Sequence, residues 1–313
     1  LRAKRSNPYR LIIISYILVI VTARAKIILM KTALAPTRCR DSEFRWGEKT
    51  YIMGVVNLSP DSFSGDGIGD DIGRAVEQAQ RMVAEGADII DVGGESTRPG
   101  TKPLSIEDVD NEIKLVVPAI ARLSKEISVP ISVDTYKARV AEHALEAGAN
   151  LINDIWGLKK DPALARLAAE AKVPIILMAN ERDAPPRVGI VTRVMADLEA
   201  GIKIALEAGV SAVDIIVDPG CGFGKTLEQN LELINRLAEL KALGKPILLG
   251  TSRKSMIGLV LDLPADKRLE GNLAVTAIGI ANGADMVRVH DVRQTALVCR
   301  MSDAIIRRGY VSE

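Results

Sequence analysis

From Tyr51 onward one pattern repeats: a short aliphatic run, a polar stretch, an amphipathic segment, then the next aliphatic run. The runs are YIMGVVN (51–57), DIIDVGG (88–94), PISVD (130–134), NLIND (150–154), PIILMAN (174–180), DIIVDPG (214–220), PILLG (246–250) and DMVRVH (285–290). Near-continuous runs of this length read as strands covered on both faces, as in a parallel sheet packed under helices. Between the first two lies DDIGRAVEQAQRMVAEG (70–86), where Ile72, Val76, Ala79 and Val83 share one helical face. Four segments share a finer form: EGADIID, AGANLIND, AGVSAVDIIVD and NGADMVRV. Each has a helix-ending glycine (Gly86, Gly148, Gly209, Gly283), a short polar link and a buried strand. Glycine takes the left-handed conformation after a helix without a Cβ penalty. The glycines recur about two βα units apart, so the repeat marks alternate units of one architecture. Eight βα units with no second domain predict a single-domain α/β fold, a (β/α)8 TIM barrel. A doubly wound sheet shares the local units and is the weaker alternative.

Composition agrees. Apolar residues make up 48% of the 313 positions and aromatics only 3%, so the core is aliphatic. Lys and Arg number 41 against 40 Asp and Glu, a balance that shows none of the basic surplus of a nucleic-acid binder. The three cysteines, Cys39, Cys221 and Cys299, are far apart and form no CxxC, which argues against disulfides and zinc and for a reducing, cytoplasmic setting.

Residues 1–43 are expected to be a leader, with the barrel over 44–313. LIIISYILVIVTA (11–23) is short of the roughly 20 apolar residues a spanning helix needs, and Arg24 and Lys26 interrupt it. Met30 opens an ordinary polar stretch, so residues 1–29 are expected to precede the true start or to be a leader outside the fold. A weak membrane anchor and a signal sequence are the alternatives. No membrane partner is expected for the barrel.

Chemistry in such a barrel lies at the C-terminal strand ends. In order these ends carry Asn57; Asp91 and Glu95; Asp134; Asn153 and Asp154; Met178 and Asn180; Asp218; Arg253 and Lys254; Arg288 and His290. Loop caps explain one or two such residues, not a full ring. Asp134, Asn153 and Asp218 suit a flat heterocycle edged with N–H and amide groups. Asn57, Arg288 and His290 suit phosphate or diphosphate, with Mg²⁺, which takes few protein ligands. The long loops after the first two strands, rich in Gly, Ser, Pro and Asp, are expected to close over the site.

These residues fall in motifs that resemble the dihydropteroate synthase family over about residues 44–309: MGVVNLSPDSFS (53–64), GADIIDVGGESTRPG (86–100), ISVDTYKA (131–138), INDIWG (152–157), VDPGCGFGKT (217–226), GTSRKSMIG (250–258) and RVHD (288–291). Several long motifs in order make the match specific. The resemblance implies a transferase of folate biosynthesis, joining 6-hydroxymethyl-7,8-dihydropterin diphosphate to p-aminobenzoate. It implies that Asp134, Asn153, Asp218 and Lys254 hold the pterin edge, with Met178 packed nearby. It puts Asn57, Thr97, Arg288 and His290 on the diphosphate, with Asn57 a ligand of Mg²⁺. It assigns Thr97, Pro99, Phe223, Lys254 and Ser255 to p-aminobenzoate. Asp61, Ser62, Phe63 and Arg98 would act from the closing loops, and Asp61 and Asp218 would favour a pterin cation with Lys254 and Arg288 beside them. A homodimer through helices on the far side of the barrel is implied too.

Departures are few. Met178-Ala179-Asn180 stands where the family usually has Met-His, which puts one contact of that loop in doubt. Cys221 is read as a small buried filler and His143 as a packing or surface residue. Arg253 is expected to pair with a nearby carboxylate. Methyltransferases that move a methyl group from methyltetrahydrofolate to a corrinoid protein share the pterin-holding positions but have no need of STRPG or SRKS. A non-catalytic pterin-binding subunit is opposed by the presence of Asn57, Lys254 and Arg288.

Overall fold

The computed structural model describes residues 34–59, 71–95, 109–183 and 189–307. Two short strands come first, β1 (Thr37–Cys39) and β2 (Ser42–Phe44). They pair antiparallel, with Thr37 opposite Phe44. The eight expected runs follow as β3 (Tyr51–Asn57), β4 (Ile89–Gly93), β5 (Ile131–Asp134), β6 (Leu151–Asp154), β7 (Ile175–Met178), β8 (Ile215–Asp218), β9 (Leu248–Leu249) and β10 (Met286–Val289). They form one parallel sheet in the order β8-β7-β6-β5-β4-β3-β10-β9. A parallel bridge between Val217 and Ile247 joins β8 to the start of β9 and closes the barrel.

Helices follow the strands in turn: α1 (Ile72–Ala84), α2 (Val109–Glu126), α3 (Ala138–Glu146), α4 (Ala163–Ala171), α5 (Ile190–Glu207), α6 (Leu227–Asn235), α7 (Ser255–Leu261), α8 (Leu269–Ala281) and α9 (Val292–Ile306). No helix among the described residues is long and apolar enough to cross a membrane. Gly86, Gly148, Gly209 and Gly283, expected just past helix ends, have φ of +107°, +115°, +96° and +101°. The apolar face of α1 is rotated from the expected one: Ala75, Val76, Ala79 and Met82 are buried, while Ile72 and Val83 are only partly so. Met82 packs over Gly54 of β3, where an added Cβ would lie 2.9 Å from Met82 Sδ. The bare strand backbone leaves room for the thioether.

Alternation along the strands divides the core in two. Ile52, Ile90, Val92, Val133, Ile152, Ile175, Leu177, Ile215 and Val287 pack outward under the helices. Met53, Ile89, Leu151, Ile176, Ile216, Leu248 and Met286 fill the barrel, and Phe44, Trp46 and Tyr51 close its N-terminal end. Each fully buried Leu, Ile or Met contributes about 1.5–3 kcal/mol. The three rings touch at 4.9–5.8 Å between centroids, and Trp46 Nε1 donates to Thr37 Oγ1 at 3.0 Å. Residues 34–43, read from the sequence as the end of the leader, thus include β1 and the start of β2. The compact unit begins at Leu34.

Candidate active site

Above the apolar filling, the same inward positions turn polar toward the C-terminal strand ends. Asp91 of β4 is fully buried. Its Oδ2 accepts from Arg288 Nε of β10 at 2.6 Å and from Asn153 Nδ2 of β6 at 3.2 Å. Arg288 Nη2 donates to Asp134 Oδ2 of β5 at 2.6 Å. Asp134, Asn153 and Arg288 are therefore one network, although the sequence assigned them to separate parts of a ligand. Burial raises the Asp134 carboxyl while the Arg288 guanidinium pulls it back. Burial lowers the pKa of Arg288, but the attraction of Asp91 and Asp134 outweighs it, so the group stays a cation.

A second group lies on β8 and the turn after β9. A Cβ added to Gly250 would lie 3.7 Å from Asp218 Oδ2, 3.8 Å from Arg288 Cβ and 4.0 Å from Lys254 Nζ. Asp218, Arg288 and Lys254 thus converge over bare backbone. Burial raises the pKa of Asp218, and nearby Lys254 opposes that rise. The Lys254 ammonium, lowered by burial and sustained by Asp218, donates to the Cys221 carbonyl. It also lies 4.5 Å from the centre of the Phe223 ring, and the Arg182 guanidinium carbon lies 4.7 Å from the same centre.

The turn that carries Phe223 depends on glycine. Gly222 has φ +82°, and a Cβ there would come within 2.9 Å of Lys254 Cδ. Lys225 holds this turn from behind: its Nζ donates to the carbonyls of Ala179 at 2.8 Å, Gly220 at 2.9 Å and Phe223 at 3.3 Å. Burial pushes its ammonium down to about 8. Met178 packs with Ile155, Trp156 and Phe223 in a small apolar wall. Asp154 accepts from Trp156 N at 2.8 Å and Leu158 N at 2.6 Å, and so shapes the loop beneath that wall. Burial pushes Asp154 up to about 6.

Of the other expected residues, Asn57 ends β3 and is half-buried. Ser255 opens α7 and is exposed. His290 Nδ1 meets Ser252 Oγ at 2.9 Å. Arg253 pairs with Asp291 at 2.9 Å, the expected kind of partner. It also takes a φ of +58°. Asp61, Ser62, Phe63, Thr97, Arg98 and Pro99 lie outside the described residues. Asn180, in the Met178-Ala179-Asn180 stretch, braces its own loop: its Nδ2 donates to the Ile155 carbonyl at 2.9 Å and its Oδ1 accepts from Arg182 N. Cys221 is buried and its thiol is pushed up to about 11, as suits a filler. His143 is half-buried on α3.

Sequence reading gave no role to Asp91, Lys225 or Arg182, nor to Lys137, whose Nζ bridges Glu95 at 2.8 Å and Glu112 at 2.5 Å. Asp91 had a signal, an acid inside the aliphatic run IIDVG, where burial of a charge is costly. Among the described residues no three His, Cys, Asp or Glu side chains gather as a metal cluster.

The sequence model of the pterin binding enzyme family matches residues 53–290. The chain is 55% identical over 267 residues to a dihydropteroate synthase of Clostridium beijerinckii, covering 85% of this chain and 98% of that protein. In structure it is similar to a Clostridium difficile dihydropteroate synthase crystallised in the presence of pteroic acid. The TM-score is 0.80 at 47% identity, over 85% of this chain and 100% of that one. It is also similar to a Xanthomonas albilineans dihydropteroate synthase solved with 4-aminobenzoic acid, with TM-score 0.80 at 36% identity over 88% and 98% of the two chains. With identity this high and relatives covered almost end to end, the chain belongs to the dihydropteroate synthase family, pterin-binding enzymes of folate biosynthesis.

Proposed function

We propose that this chain condenses 6-hydroxymethyl-7,8-dihydropterin diphosphate with p-aminobenzoate, giving 7,8-dihydropteroate and diphosphate. The observation that carries the reading is the convergence of Asp218, Lys254 and Arg288 at the barrel mouth, beside the network that joins Arg288 to Asp134 and Asn153 through Asp91. Pteroic acid with one relative and 4-aminobenzoic acid with another support the two substrate classes.

Asp134, Asn153, Asp218 and Lys254 hold the polar edge of the pterin, and Met178 packs beside it. Arg288, with Asn57 and His290, takes the diphosphate. The bond between the pterin methylene and the diphosphate oxygen breaks, and the electron pair leaves with diphosphate. Positive charge then spreads into the ring, where the buried Asp218 carboxylate stabilises it at low dielectric. The neutral arylamine attacks the methylene and forms the new C–N bond, and its proton passes to the departing diphosphate or to solvent. Phe223 and Ser255 lie on the arylamine side, and the stacked cations keep the Phe223 ring in place.

An ion fully caged by protein does not fit the described donor set, whereas Mg²⁺, which takes few protein ligands, fits the single carboxamide of Asn57, which would hold it. When bound it would neutralise charge on the leaving group. The working unit is a homodimer. Leu259, Val260 and Leu261 of α7, Ile278 of α8 and Leu297, Met301 and Ile305 of α9 are exposed on consecutive outer helices, and a second copy would cover them. Light scattering of the purified chain tests this: a monomer at working concentration would refute it.

The test of function is product formation from the pterin diphosphate, Mg²⁺ and p-aminobenzoate, with Lys254→Ala in parallel. Dihydropteroate that disappears in the variant is the expected result. Absence of product together with tight methyltetrahydrofolate binding would instead favour a methyl-transferring relative.

A further inference from the structure

We propose that Asp91 is a positioning residue for the condensation: one carboxylate oxygen orients both the guanidinium that takes the diphosphate and the carboxamide that takes the pterin edge. The proposal rests on the ligand assignments above.

Asp91 sits in mid-strand on β4, opposite Val55 and Ser132 in the parallel register. It is fully buried between aliphatic neighbours, where an apolar residue would pack at no electrostatic cost. Among the described residues it accepts no hydrogen bond from backbone and caps no helix. Both its partners are side chains that project from other strands: Arg288 Nε at 2.6 Å and Asn153 Nδ2 at 3.2 Å, each on Oδ2. Among the described residues its Oδ1 has no hydrogen-bond partner, and neither does Ser132 Oγ on the facing position of β5.

The geometry has a consequence for Arg288. Nε is committed to Asp91 and Nη2 to Asp134. The guanidinium plane is therefore fixed by acids on two adjacent strands before a ligand arrives, and Nη1 remains for an anionic oxygen. Arginine otherwise loses much side-chain freedom on binding. Fixing the fork in the free protein removes that cost at the moment of binding and sets the direction of the donor. Asn153 is treated likewise: with Nδ2 donated to Asp91, its Oδ1 is the end turned to other partners.

Asp91→Asn tests this because it keeps the shape and removes the charge. Three measurements are made on the full chain. Steady-state kinetics should show kcat/KM for the pterin diphosphate lowered by about tenfold or more, as for loss of a charge-assisted hydrogen bond. KM for p-aminobenzoate should stay within about twofold, a split that general loosening of the fold would not give. Calorimetry with inorganic diphosphate should show weakened binding in Asp91→Asn and no further loss when the change is added to Arg288→Gln, because the two act as one unit. Equal losses for both substrates, or additive effects of the two substitutions, would overturn the proposal.

If Asp91→Asn does not fold, NMR of the wild-type protein decides. A slowly exchanging Arg288 Nε–H in the ligand-free enzyme, assigned by its absence in Arg288→Lys, is expected. A rapidly exchanging one would refute the positioning role. A wild-type chain that forms no dihydropteroate would remove the functional reading, while the diphosphate and NMR measurements would still decide the role of Asp91.

Discussion

The two ends of the barrel are built from the same strands and follow opposite rules. At the N-terminal end the inward side chains are Met53, Ile89, Leu151, Ile176, Ile216, Leu248 and Met286, closed by Phe44, Trp46 and Tyr51. Toward the C-terminal end the inward positions hold Asp91, Asp134, Asn153, Asp218 and Arg288, with Lys254 reaching in. The first arrangement buries area and asks nothing of geometry beyond a close fit. The second buries charge, which costs stability unless each group is paired, and most of its groups have pKa values displaced by burial. The contrast separates residues that keep the barrel closed from residues proposed to act on a ligand.

Four experiments would break or sharpen that division. Lys254→Ala should have the largest effect, lowering kcat/KM by roughly a thousandfold, about 4 kcal/mol of transition-state stabilisation, with little loss of melting temperature. A large fall in stability with activity retained would place Lys254 with the structural end instead. Phe44→Ala should do the reverse. It should lose about 3–5 kcal/mol of unfolding free energy in urea, as for other buried rings, while both substrate KM values stay put. A shifted KM would show that the plug communicates with the mouth.

Asp303→Asn probes the polar seal at the closed end. There Asp303 accepts from Thr50 N and Thr50 Oγ1 at 2.7 Å each and pairs with Arg307 at 2.7 Å. About 1–3 kcal/mol should be lost, the scale of a buried acceptor replaced, again without a kinetic change. An unchanged unfolding midpoint would show that the seal adds nothing to the apolar plug.

The fourth effect is smaller and depends on pH. Burial lowers the Lys225 ammonium from 10.5 to about 8. Between these values the unfolded chain binds more protons at this position than the native one. Stability from this group therefore rises with pH across that window, and its full penalty is present below about 8. Wild type should gain on Lys225→Met as pH rises through the window, measured by urea unfolding at several pH values. A constant difference would mean that the ammonium titrates normally and that the ligand-facing end costs less than its burial suggests.

Much of this molecule is visible without coordinates. All eight parallel strands lie within the aliphatic runs, because parallel strands buried on both faces need unbroken apolar residues. The four glycines past the helix ends announce themselves because the left-handed turn excludes most side chains. The ring of polar residues is legible since a barrel strand has only one end at which charge can be used. The hairpin before the barrel was not legible: two strands of three residues have too few positions to show a period. The packing of Met82 over Gly54 was not legible either, because the two residues lie on different elements.

The sequence by itself determined the architecture, the family and the strand ends at which the polar residues gather, because periodicity, turn residues and motif order are local properties of the chain. Only the tertiary structure decided the partners. Arg288 finds Asp91 and Asp134 from 197 and 154 residues away. Those ion pairs exist because barrel closure pairs β10 with β3, so that Arg288 reaches past β3 to the acids of β4 and β5, and no local pattern of residues encodes which side chains then come within reach.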